Sequence, residues 1–142
     1  MITENIKEIT DNKIIQRYIE LEVRAGQQRT VDASNALVLE AKVFGDELTA
    51  RGPETLRKLL PLLGHENCHV QVSIAMRCYT IALELCGPIL WKLAQSHGPE
   101  SGQAMVFLMR TDPAYREFLD EETDKSVGGT WWRDFFDDKK PR

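Results

Sequence analysis

PETLRKLLPLL (Pro53–Leu63), GHEN (Gly64–Asn67), CHVQVSIAMRCYTIALEL (Cys68–Leu85) and CGPILWKL (Cys86–Leu93) are consecutive pieces of one stretch, and their reading decides the fold. Leu56, Leu59, Leu60 and Leu63 recur at i, i+3, i+4 and i+7, the apolar stripe of a helix packed on one side. Pro61 inside that stripe has no N–H to donate, so a kink or an early end is expected there. Gly64 to Asn67 is a polar turn, and Asn67 suits the N-cap of a second helix because its side chain can accept from the orphan N–H groups. Val70, Ile74, Ile81 and Leu85 are expected to line that helix, with Ala75, Cys78 and Ala82 as small packing residues. Gly87-Pro88 is expected to end it and to start a third helix carrying Ile89, Leu90, Leu93 and Ala94. The layout is helix, short turn, helix, helix.

The same periodicity extends in both directions. Ile2, Ile6 and Ile9 suggest a short amphipathic turn at the N-terminus. Ile14, Tyr18, Leu21 and Ala25 mark one face of a helix over about Asn12–Gln27, with Ile15, Ile19 and Val23 as a second apolar row. Thr30 or Asp32 can cap the next helix, about Val31–Ala50, whose buried face is Leu37, Ala41, Phe44 and Leu48. Gly45 in its interior costs about 1 kcal/mol relative to alanine and allows a close approach. Arg51-Gly52-Pro53 is a break, with Gly52 suited to a left-handed residue. Gly98-Pro99 repeats the stop-and-start device before a helix over about Pro99–Met109 that packs Ala104, Phe107 and Leu108. Thr111-Asp112-Pro113 is a further break. A short helix over Ala114–Glu122, with Tyr115, Phe118 and Leu119 on one side, is followed by a hinge at Ser126–Gly129 and by TWWRDFFDDKKPR. The expected architecture is all-α: an α-α superhelix of about five to seven helices over residues 1–110, with a C-terminal extension at 111–142.

Composition narrows the function classes. A chain of 142 residues suits one domain, and 42% hydrophobic with 28% charged residues is ordinary for a globular protein. No apolar run approaches the roughly 18 residues of a membrane span. The N-terminus has acidic residues and no apolar core of the kind a signal peptide carries. A formal charge of −4 argues against a broad nucleic-acid surface and is compatible with a basic partner. Three cysteines, Cys68, Cys78 and Cys86, leave one over if two pair, and without an export signal they read as reduced and cytoplasmic.

The segment LRKLLPLLGHENCHVQVSIAMRCYTIAL resembles a HEAT-type unit, a leucine helix and a polar turn before a helix that opens Val-x-x-x-x-Ala, here Val70 and Ala75. Residues from about Asn12 to Arg110, through ELTARGPETLRKLLPLLGHEN and GPILWKLA, resemble a bacterial family of small HEAT-like helical domains known as domain of unknown function two-thousand-nineteen. HEAT units often carry Asp-Pro in the turn and Arg after the Val. Glu66-Asn67 and Gln71 stand in those places here. The resemblance implies a stack of helix pairs that offers a continuous binding surface.

Candidate sites are few. His65, Cys68 and His69 could begin a zinc site with Cys86 or His97 as a further ligand, but no paired C-x-x-C or H-x₃-H spacing supports it, and the residues read more simply as a turn and a helix start. Cys78 could be a nucleophile only beside an activating base, and it lies among apolar residues. No nucleophile elbow, zinc-protease, P-loop or dinucleotide motif is present. No catalytic residue, metal or cofactor is therefore expected. Glu20, Glu22, Glu40, Asp46 and Glu47, with Asp120, Glu121, Glu122 and Asp124, are expected on exposed helix faces, where they are either a solvated surface or a steering field for a basic partner. Trp131, Trp132, Arg133, Phe135 and Phe136 form an aromatic tail. In a helix it would pair Trp131 with Phe135 and Trp132 with Phe136, and it either folds back on the stack or anchors a partner.

These features point to a protein-binding scaffold with no catalytic machinery, of the kind bacterial immunity proteins use to occlude a basic toxin domain. The partner-binding residues expected are Glu40, Asp46, Glu47, Trp131, Trp132, Arg133, Phe135 and Phe136. Two further readings are a HEAT-like nucleic-acid-binding or base-repair protein, which needs Arg24, Arg29, Arg51, Arg57, Lys58, Arg77 and Arg110 to converge, and a self-associating adaptor, a homodimer. No membrane partner is expected.

Overall fold

In the computed structural model, which describes residues 5–124, the leucine-rich helix is shorter than its stripe. Pro61 would have to donate to the carbonyl of Arg57, and it cannot. The helix stops at Arg57, Lys58 and Leu59 turn with i→i+3 bonds, and a 3-10 turn over Leu60–Gly64 carries the last leucines. Leu56, Leu59 and Leu63 are buried nonetheless, so the stripe survives the change of helix type.

The elements run as follows: a 3-10 turn Ile6–Glu8, α1 Asp11–Gly26, α2 Val31–Ala50, α3 Pro53–Arg57, the 3-10 turn, α4 Cys68–Arg77, α5 Leu83–Ala94, α6 Glu100–Thr111 and α7 Pro113–Asp124. All the regular elements among the described residues are helical, and none of these helices is long and apolar enough to cross a membrane. Side-chain caps fix the starts of α1, α2 and α4. Thr10, Thr30 and Asn67 accept from Lys13, Ala33 and both His69 and Val70 respectively.

Helix α4 lies at the centre. It packs on α1, α5, α6 and the second 3-10 turn, while α1 pairs with α2 and α5 pairs with α6. Val70, Val72, Ile74 and Ala75 are fully buried. At about 100° per residue, Val70 and Val72 point to nearly opposite sides, so this helix is enclosed and not merely amphipathic. Ile14, Tyr18 and Leu21 of α1 and Leu90, Leu93 and Ala94 of α5 belong to the same core. Trp91 of α5 meets Tyr115 of α7 edge-on at 5.1 Å, and its indole N–H donates to Asp112, which also caps α7 through the Ala114 N–H.

The helix expected to run from Asn67 to Leu85 is in fact two. It ends at Arg77, the amides of Ile81 and Ala82 both return to the carbonyl of Cys78, and α5 then runs through Pro88. Thr80 and Ile81 are β-branched and weaken the helix there. Tyr79 beside them turns its ring edge-on to Phe107 of α6 at 5.1 Å. Pro88 leaves only the Glu84 carbonyl without its donor, at an exposed residue, and Gly87 lacks the Cβ that the proline ring would crowd. Ile81 is consequently half-buried and Leu85 exposed, not core as expected.

Polar fastenings close the N-terminal end. Arg51 donates to Asp11 at 2.7 Å, to Glu47 at 2.8 Å and to the Ile6 carbonyl at 3.0 Å, and Lys58 adds a second cation to Asp11 at 2.8 Å. The hydrogen bonds from Lys58 and Arg51 hold the Asp11 carboxyl well below the usual range, at about 2. Gly52, directly after Arg51, has φ +109° and ψ 174°, positive as expected but in the extended region open to glycine alone.

Replacement Gly52→Ala is expected to cost about 1–3 kcal/mol in urea unfolding although its Cβ would meet nothing within 4 Å, because the cost is conformational. The Asp11 contribution runs with a defined sign. A carboxyl depressed in the folded state stabilises above its unfolded pKa of roughly 4 and loses that effect as pH falls through about 2. The stability gap between the wild type and Asp11→Asn should therefore be full at neutral pH and close across that acid window, as read by urea titrations at stepped pH.

Candidate functional site

Two polar rows meet between α1 and α4. Tyr18 and Glu22 stand one turn apart on α1, and His69, Ser73 and Arg77 stand at successive turns of α4, so each set shares one helix face. The rows lie antiparallel. Arg77 reaches the Tyr18 hydroxyl at 3.4 Å and its guanidinium carbon sits 5.5 Å from the Tyr18 ring centroid. Ser73 donates to Glu22 Oε2, and His69 Nε2 lies 3.2 Å from that same oxygen. Val38 and Lys42 of α2 and Gln103 and Phe107 of α6 complete a cleft of about 450 Å³ over this seam.

Glu22 is only 4% exposed. It is interior, not on the exposed helix face expected from the sequence. It follows Tyr18 by four residues and therefore shares the buried row that Tyr18 belongs to, a signal present in the spacing. Burial of a carboxylate is costly unless it is hydrogen-bonded, and Ser73 supplies a bond. His69 is 7% exposed, and its Nε2, though close to Glu22, lies off the hydrogen-bond direction and has no hydrogen-bond partner. Gly26 permits the ring to lie there, since a Cβ on it would stand 3.0 Å from His69 Cβ.

The arrangement differs from a hydrolase triad. Ser73 and His69 converge on one carboxylate oxygen, so Glu22, not the imidazole, occupies the hydrogen-bonding position beside the hydroxyl. Cys78 lies in a setting where burial outweighs the neighbouring Arg77 charge. Its Sγ is buried 3.5 Å from the Leu56 carbonyl, and burial, with a smaller contribution from Cys86, pushes the thiol up to about 12. His65 Nδ1 accepts from the Asn67 amide within the turn, while Cys68 is exposed and His69 points inward. Among the described residues no three His, Cys, Asp or Glu side chains are grouped to hold a metal ion.

The carboxylates expected at a partner surface are scattered. Glu20, Glu40 and Glu121 are exposed. Asp46 is exposed but bonds Lys42 at 2.6 Å and approaches Arg77 at 3.4 Å, and the Lys42 bond holds its carboxyl below the usual range. Glu47 is not exposed. Its side chain is 11% accessible and fastened to Arg51, because Arg51 follows one turn later and is itself held by Asp11. Asp120 is half-buried. The side chains of Glu122 and Asp124, and the whole segment carrying Trp131, Trp132, Arg133, Phe135 and Phe136, lie outside the described residues. Of the cations that a nucleic-acid face would need, Arg51 and Lys58 engage Asp11 whereas Arg77 engages Asp46 and Thr49, on a different seam.

No protein-family model matches the chain, and no curated protein and no solved structure matches it.

Thiol accessibility checks the placement of the cysteines. A water-soluble maleimide should modify Cys68 rapidly in the native protein and leave Cys78 and Cys86 unreacted until denaturant is added. Fast modification of a second thiol would contradict the buried positions.

Proposed function

We propose that the protein is a non-catalytic protein-binding scaffold, and specifically an immunity protein that binds and occludes a basic toxin domain. The observation that supports this reading most is the outer face of α2. Val31, Leu39 and Val43 are 74%, 66% and 57% exposed. With Asn35 between them they recur every four residues and form one uncovered row along the helix. Asp32 and Glu40 flank the row. A row of large aliphatic side chains left in water, rimmed by carboxylates on a chain of formal charge −4, suits a partner with an apolar centre and a basic rim. Glu40 belongs to this face. Asp46 and Glu47 are bound to cations of the same chain and contribute less.

The HEAT-like reading enters in the same way. Paired helices stacked about α4 leave α2 as an outer layer, and outer layers are where such scaffolds place their contacts.

The test is protection. Co-expression with the toxin encoded beside its gene should restore growth, and Leu39→Glu should weaken binding at least about tenfold, the equivalent of losing roughly one buried aliphatic side chain. Leu39 is exposed, so circular dichroism and the unfolding midpoint should stay unchanged. A neighbouring gene without toxicity, or full protection by Leu39→Glu, would overturn the proposal. A dimer that Leu39→Glu dissolves in light scattering would instead assign the face to a second copy of the chain.

A further inference from the structure

On α4 every residue from His69 to Arg77 is withdrawn from full solvent exposure, and its polar side chains are almost all provided for. Gln71 donates to the Leu63 carbonyl, Ser73 to Glu22, and Arg77 to Thr49. His69 Nε2 is the exception, buried and without a hydrogen bond at the floor of the cleft. Buried polar groups in folded proteins are seldom left this way without a ligand, water or function to account for them.

We infer that the cleft between α1, α2, α4 and α6 is a binding site for a primary alkylammonium group. The floor is built of acceptors. Glu22 presents a carboxylate, His69 an imidazole nitrogen 3.2 Å from it and without a hydrogen-bond partner, and Tyr18 and Ser73 hydroxyl oxygens whose remaining lone pairs can accept. An ammonium has three donors and no acceptor, the complement of that set. It also supplies the cation that the nine-tenths-buried Glu22 lacks as a hydrogen-bonded partner. The walls set the rest of the ligand. Val38, Met76 and Phe107 are apolar, so the charged head must be carried on a hydrocarbon stem. The two cations that also line the cleft have partners of their own, and Arg77 takes up one lone pair of the Tyr18 hydroxyl at 3.4 Å. Lys42 pairs with Asp46 at 2.6 Å, and Arg77 is held by Thr49 at 2.9 Å over the Tyr18 ring. The ammonium can come from a free amine or from a lysine side chain of a bound protein, and the chemistry is the same. The inference does not depend on the α2 docking face, since the acceptors Tyr18, Glu22, His69 and Ser73 belong to α1 and α4.

The experiment is a titration of the full chain followed by the ring signals of His69 in a carbon–proton correlation spectrum. The probes are n-butylammonium, Nα-acetyl-lysine methylamide and the uncharged n-butanol. Both amines should shift the His69 ring saturably, and n-butanol should bind about tenfold more weakly or not at all. Glu22→Gln should weaken the amines by about the same factor. Should that variant fail to fold, the n-butanol comparison on the wild type still decides. Similar affinity of the free amine and the lysine derivative supports a small-molecule amine, and markedly tighter binding of the lysine derivative supports a partner's lysine. An unshifted His69 ring at saturating amine, or equal binding of n-butanol, would overturn the inference.

Discussion

Helix α4 buries side chains on nearly opposite sides, and the rest of the molecule follows from covering them. Val70 and Val72 point in nearly opposite directions and both are fully buried, so a single neighbouring layer could not satisfy them. Helix α1 lies on one side with α2 behind it, and α5 and α6 lie on another. The leucines of α3 and the 3-10 turn then fill the remaining end. Each valine or isoleucine side chain fully buried is worth roughly 1.5–3 kcal/mol, and α4 alone contributes three, Val70, Val72 and Ile74. The same enclosure forces its polar residues to find partners inside the protein, which is why Glu22 of α1 is drawn in toward Ser73 and His69.

Much of this was legible in the residues. The periodic rows of α1 and α2, the Asn67 cap, the polar turn before it and the break at Gly52 each rest on a local rule that tertiary structure had no reason to override. The early end of the leucine helix was written in Pro61. The division of α4 from α5 was hidden, because Gly87-Pro88 looks like a terminator and Thr80-Ile81 does not. Packing reversed those roles: Tyr79 turned toward Phe107, and a proline early in α5 left only one exposed carbonyl without its donor.

The site was less legible than the fold. Glu22 reads as a surface carboxylate so long as each acidic residue is taken singly. Its burial appears only when it is placed on the row of Tyr18 and set against His69, Ser73 and Arg77 of another helix. Glu47 shows the same limit, since its partner Arg51 is positioned by Asp11, forty residues earlier in the chain. A charge belongs to a surface or to a fastening according to what stands across from it, and that is a property of helix pairing. The exposed aliphatic row of α2 had the opposite problem. Val31, Leu39 and Val43 look like core residues by type, and among the described residues only the lack of a helix packed on them distinguishes them from Ala41, Phe44 and Leu48 on the buried side.

The most direct measurement of this account is native-state hydrogen exchange resolved by residue. Packing against α1, α5, α6 and the second 3-10 turn predicts that the amides of α4 beyond its first turn exchange last, through global unfolding alone, and that those on the outer side of α2 exchange earlier through local opening. Exchange of the α4 amides at rates equal to or faster than those of α2 would contradict the claim that the molecule is built around that helix.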